Sequence, residues 1–96
     1  MIKEKTKIDE HLFPSGDVPD ILFELIGNKN VVVEIETDNP LPGFYQVLKY
    51  KVLRCAELGL DIDCPDVEAV LVAWKITKEI KNLCKKYRIR FVQKKL

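Results

Sequence analysis

The segment that most restricts the fold of this chain is Val67 to Trp74, with the sequence Val-Glu-Ala-Val-Leu-Val-Ala-Trp. A nearly all-apolar run of this length reads as a central strand covered on both faces, since strands with one face in water alternate apolar and polar residues. Upstream, Asp38-Asn39-Pro40 supplies a cap candidate and a proline at a possible first helical position. The helical pattern runs on to Leu58, where Gly59 stops it. Val31 to Thr37, just before this helix, reads as another strand. A strand, a helix and a strand in succession imply a right-handed parallel crossover, so the chain belongs to the α/β class.

The remaining segments extend this unit. Thr6 to Phe13 is a candidate first strand, ending at the turn-forming cluster Pro14-Ser15-Gly16-Asp17. In Asp20 to Ile26, Ile21, Phe23 and Leu25 alternate with Asp20, Leu22 and Glu24, and Gly27-Asn28-Lys29-Asn30 then forms a hairpin connection. Leu60 to Asp66 reads as a loop. A second helix carries Ile76, Ile80, Leu83, Cys84 and Tyr87 at helical spacing with lysines on its other face, and Ile89 to Gln93 is a short last strand. The order predicts a mixed central sheet, in which a three-stranded antiparallel meander is followed by helix, strand, helix and strand. Ninety-six residues at 47% hydrophobic content suffice for a single domain, 1–96, with one modest core. So small a domain buries a limited share of its surface, and a homodimer or a place in a larger assembly is expected.

Cysteine usage and hydropathy exclude several classes. Cys55, Cys64 and Cys84 are odd in number and widely spaced, and His11 is the only histidine, which is neither a disulfide framework nor a zinc signature. They are expected to pack as reduced, small apolar side chains. No apolar run reaches the length of a membrane span and Met1 to Glu10 does not form a signal peptide, so a cytoplasmic protein without a membrane partner is expected.

The net charge is only +1, yet its distribution is lopsided. From Asp9 to Asp38 there are eight acids against one base, and from Lys75 to Leu96 nine bases against one acid. An acidic segment that holds cations beside a basic segment that holds phosphates suits a metal-dependent enzyme acting on nucleic acid. The plainer reading is a solvated helix face with a basic tail.

The acidic residues fall into a pattern. In the third strand Val33 and Ile35 point one way while Val32, Glu34 and Glu36 point the other, so both carboxylates share a face. Asp20 opens the preceding strand across a tight hairpin, which lets three carboxylates converge. Converging carboxylates repel one another unless a cation sits between them. Oxygen ligands of this kind suit Mg²⁺ or Mn²⁺, which polarise a phosphodiester and lower the pKa of an attacking water. On the next helix Gln46 and Tyr50 lie one turn apart, flanked by Lys49 and Lys51, and offer an amide, a phenol and ammonium groups to a phosphate backbone. Against this stands the ordinary role of each member: Asp20 as a turn cap, Glu34 and Glu36 as surface charges, Gln46 and Tyr50 as helix residues at the core edge. Asp61, Asp63 and Asp66 lack the glycine and distant glutamate of a calcium loop. His11 has no serine or cysteine in a nucleophile setting, and Trp74 reads as a core or edge anchor.

Pro19-Asp20, then Glu34-Ile35-Glu36, then Gln46-Val47-Leu48-Lys49-Tyr50 resembles the PD, (D/E)xK and QxxxY motifs of the PD-(D/E)xK nuclease superfamily, particularly the branch of RecB-type exonucleases and Cas4-like enzymes. The resemblance covers Phe13 to Trp74 and implies a restriction-endonuclease-like core. It implies that Asp20 and Glu34 bind Mg²⁺ or Mn²⁺ together with the backbone carbonyl of Ile35. It further implies that Gln46 and Tyr50 orient substrate or site, and that DNA rather than RNA is cut. Lys49, Lys51, Lys75 and Lys78 are then expected to meet backbone phosphates. Two departures stand out. Glu36 occupies the place of the family's lysine, which removes a positive charge and makes Glu36 a water-activating base or an extra ligand. The first core helix of the family is also apparently missing, since only about a dozen residues precede Pro14. The alternative is a catalytically silent module of this family that binds nucleic acid or a protein.

Overall fold

A computed structural model describes residues 5–8, 21–25 and 29–94 of the chain. Strands β1 (Lys5–Ile8), β2 (Ile21–Leu25) and β3 (Lys29–Glu36) form an antiparallel meander. Strands β4 (Val67–Ala73) and β5 (Arg90–Gln93) continue it in parallel, giving a five-stranded sheet in the order β1-β2-β3-β4-β5. Helix α1 (Pro40–Leu58) connects β3 to β4, and α2 (Lys78–Lys86) connects β4 to β5. This is the mixed α/β architecture that the sequence predicts. The expected stretch to Phe13, the turn from Pro14 to Asp17 and Asp20 itself lie outside the described residues. Among the described residues no helix precedes β3.

Local chemistry accounts for the helix bounds. Asn39 is extended and its Oδ1 accepts a hydrogen bond from the Leu41 backbone N–H at 3.1 Å, while Pro40 takes a first-turn position where no amide is needed. At the other end Gly59 adopts a left-handed conformation with φ of 69°, and Leu60 N–H donates to the Cys55 carbonyl at 2.8 Å. Helix α2 starts later than its apolar pattern suggests. Thr77 Oγ1 accepts from Ile80 N–H at 3.3 Å as the cap, and Ile76 precedes the helix as a buried anchor. After α2 the chain turns through Arg88 at φ of 56°, a left-handed conformation that costs a side-chain-bearing residue about 1–2 kcal/mol.

Both helices cover the same face of the sheet. Phe44 and Val47 of α1 meet Ala69, Leu71 and Ala73 of β4 and Ile80 and Cys84 of α2 in the main core, and Tyr50 packs on Leu22 and Val32 in a smaller one. On β3, Asn30, Val32 and Glu34 are buried beneath α1, whereas Val31 and Val33 on the opposite face are half-buried and Ile35 is exposed. The face that carries the carboxylates is therefore the helix-covered one.

The far end of α1 is tied down by a polar contact. Arg54 Nε and Nη2 donate to Asn30 Oδ1 at 2.9 and 2.8 Å, and Nη1 donates to Glu57 Oε1 at 3.2 Å. Asn30 and Arg54 are both buried, and a buried guanidinium stays favourable only while its donors are satisfied. Asn30, read from the sequence as a hairpin residue, instead sits inside β3, which starts at Lys29. Asn30→Ala is expected to destabilise the fold by about 2–4 kcal/mol, more than Arg54→Met, because it leaves Nε and Nη2 of a buried guanidinium without an acceptor while the charge stays in place. Urea denaturation of the two variants checks the order.

Cys55 and Cys84 are buried as expected, but Cys64 is half-buried and lines a surface cleft. Burial pushes the Cys55 thiol up, partly countered by nearby Lys51 and reinforced by Cys64, and burial also pushes up the Cys84 thiol. In the folded state a thiol reagent such as 5,5′-dithiobis(2-nitrobenzoate) should titrate Cys64 quickly and the other two only on unfolding. Rapid titration of all three under native conditions would contradict this packing.

Candidate functional site

Helix α1 runs back over β3 with a fixed correspondence. Gly43 lies over Glu36, Tyr50 over Val32 and Arg54 over Asn30. Two strand residues advance about 6.6 Å, the rise of four to five helical residues, so the level of Glu34 falls near Gln46 and Val47. Val47 is fully buried towards the main core and Gln46 is exposed. Tyr50, one turn below Gln46, packs on the β2 side of the helix. Glu34 and Glu36 thus lie under the first turns of α1, with Gln46 exposed at the level of Glu34 and Tyr50 further along the helix, in the cluster with Leu22 and Val32.

Glu34 is 8% exposed and its Oε2 is sealed from solvent. Glu36 is half-buried at the end of β3. The closeness of α1 there depends on Gly43. A Cβ at this position would collide with Glu36 Cγ and come within 3.1 Å of both Glu36 Cδ and Leu71 Cδ1. A glycine inside a helix ordinarily costs stability, and here it opens space for the Glu36 side chain. The sequence reading missed Gly43 because a Pro-Leu-Pro-Gly run resembles any helix start.

Asp20 lies outside the described residues, and the β2–β3 register ends with Ile21 opposite Val33, each one position along the chain from Asp20 and Glu34. Ile35 lies between the two glutamates with its side chain on the other face. Among the described residues no three histidines, cysteines or acids stand together as a metal cluster. Glu34 and Glu36 could contribute carboxylate oxygens to a hard divalent ion.

Lys49, Lys75 and Lys78 are exposed. Lys75 follows closely on Ala73, whose register partner is Glu36, so it belongs to the same end of the sheet. Lys51 departs from the expectation, being only 4% exposed and lining a cleft beside Lys29. Residues two apart on a helix point about 200° apart, so Lys49 and Lys51 cannot share one surface. Lys29 and Glu34 are five strand residues apart, about 17 Å, which places Lys51 towards the opposite end of β3.

If Gly43 exists to admit Glu36, the two positions are coupled. Gly43→Ala should destabilise the parent by about 1–3 kcal/mol through overpacking and become neutral or stabilising in a Glu36→Ala background, where helix propensity prevails. Chemical denaturation of the four proteins in this cycle measures the coupling, and additive effects would remove the close-approach argument.

No protein-family profile and no curated protein matches the sequence. The fold is similar to that of several solved structures. An EndoMS chain in a complex with double-stranded DNA matches with a TM-score of 0.75 at 22% identity, over 95% of this chain and 36% of that one. A repair endonuclease from Pyrococcus abyssi matches with a TM-score of 0.76 at 22% identity, over 97% and 39%. EndoMS in its apo form matches with a TM-score of 0.70 at 21% identity, over 98% and 40%. The chain therefore spans less than half the length of these proteins, and what it shares with them is an endonuclease-like α/β fold.

Proposed function

We propose that this chain is a divalent-metal-dependent nuclease module that hydrolyses phosphodiester bonds in DNA. The observation that carries the reading is the buried Glu34 carboxylate beside Glu36, beneath the start of α1 at the carboxyl ends of parallel strands. Ligands of open α/β sheets gather at such ends. The likeness to EndoMS in a complex with double-stranded DNA and to a repair endonuclease supports DNA as the substrate.

In this reading Glu34, the Ile35 carbonyl and Asp20 hold Mg²⁺ or Mn²⁺. A bound ion of this type supplies Lewis-acid polarisation of the phosphate and a more acidic water. Glu36 accepts the proton of the attacking water. Gln46 and Tyr50 orient the site, and Lys49, Lys75 and Lys78 hold backbone phosphates at its rim. The burial of Glu34 suits a hard cation, because a carboxylate removed from water is stabilised by a positive neighbour.

The silent-module alternative rests on one specific feature, the carboxylate at position 36 where the resembling motif has an ammonium. Cleavage of labelled duplex oligonucleotides in Mg²⁺ and in Mn²⁺ separates the two. Glu34→Ala should lower cleavage by about three orders of magnitude or more, as expected when the ion that activates the water is lost, while salt-sensitive DNA affinity persists. Binding by the parent without cleavage in either ion establishes the silent module, and equal cleavage by parent and Glu34→Ala overturns the metal assignment.

A further inference from the structure

A second site lies at the other end of β3. A cleft of about 310 Å³ opens between the loop after α1, the starts of β3 and β4, and the turn after α2. Lys29, Lys51 and Arg88 line it together with Asp63, Cys64 and Glu68. Glu68 is already engaged, its carboxylate held by Lys29 Nζ at 3.3 Å and by Arg90 Nη1 at 3.5 Å. Lys51 differs from these surface cations. It is 4% exposed, and among the described residues it has no hydrogen bond or ion pair. The stem is buried, while Nζ is not among the sealed polar atoms and opens to the cleft, where an anion can meet it. Asp63 lines the same cleft but is exposed and makes no ion pair with Lys51.

Arg88 is an independent observation on the same cleft. The turn that closes α2 needs a left-handed residue, the place where glycine is favoured, yet it carries an arginine at φ of 56°. Strain held at a position that lines a cleft points to a use for the side chain. A guanidinium offers a planar fork of donors to a tetrahedral oxyanion, and a lysine adds a compact charge.

From these features we infer that the cleft is a binding site for a phosphate monoester, with the Lys51 ammonium at its base and Arg88 and Lys29 at its mouth. A monoester dianion presents three free oxygens to converging cations. An internal phosphodiester carries one charge and a sugar on either side, so it offers the same cations less charge and fewer free oxygens. The site is separate from the Glu34–Glu36 region and does not depend on metal or on cleavage.

The test measures binding of inorganic phosphate and of adenosine 5′-monophosphate to the whole chain by calorimetry and thermal shift, without divalent metal, alongside affinity for an unphosphorylated duplex. Both monoester probes should bind and raise the melting temperature. Lys51→Met should weaken them by about tenfold or more and leave duplex affinity unchanged. Arg88→Gly relieves the strained turn, so it should raise the melting temperature of the free protein while weakening phosphate binding, a pairing that a purely structural arginine does not produce. Glu34→Ala should bind phosphate as the parent does, so loss of the nuclease reading leaves this one standing. Failure of the parent to bind either probe overturns the assignment. So does equal phosphate binding by Lys51→Met, or a loss of duplex rather than monoester affinity in that variant.

Discussion

The fold depends on how closely α1 can lie along β3. Two contacts set that approach, the missing side chain at Gly43 over Glu36 and the Arg54–Asn30 hydrogen bonds about three helical turns further on. With both ends fixed, the residues between have little freedom. Phe44, Val47 and Tyr50 fill the space above β2, β3 and β4, and Glu34 is enclosed as a consequence. A buried carboxylate is costly to keep in an apolar layer, so its presence beneath a well-packed helix marks it as more than a solubilising charge.

Much of this was legible in the sequence because the signals were local. Asn39, Pro40 and Gly59 bracket α1 as their backbone preferences require, and the nearly all-apolar run of β4 matches a strand between β3 and β5, although α1 and α2 cover one face of it where the run predicts cover on both. The alternation of β3 placed Glu34 and Glu36 on one face. Periodicity could not say which face the helices cover, because that depends on Leu22, Val32 and Tyr50 meeting across three elements. Lys51 shows the same limit: in sequence it is a lysine between the core residue Tyr50 and the exposed Val52, while its surroundings come from the starts of β3 and β4 and from Arg88 after α2. Cys64 likewise owes its half-exposure to the cleft and not to its own segment.

Covering one face of the sheet leaves a different balance on the other. Val31 and Val33 are half-buried and Ile35 is 43% exposed, so the described part of the molecule is asymmetric in its apolar surface. The chain also spans only 36–40% of the structures that share its fold. A domain of this size has a limited core, and any neighbour that covered Ile35 and the adjacent valines would add stability in proportion to the apolar area removed from water.

The two ends of β3 carry opposite chemistry, which follows from chain direction. At its carboxyl end the strand delivers Glu34 and Glu36 to the start of α1, where the positive end of the helix dipole and unsatisfied amides favour negative charge. At its amino end Lys29 joins Lys51 from the middle of α1 and Arg88 just after α2, whose last turn carries Lys85 and Lys86, and cations are favoured at a helix carboxyl end. The start of α1 thus favours acids at one end of the sheet, and the end of α2 favours bases at the other. A glutamate at position 36 fits this field better than a lysine would, and it leaves the acidic end in greater need of a cation than the resembling motif, in which an ammonium supplies part of that charge.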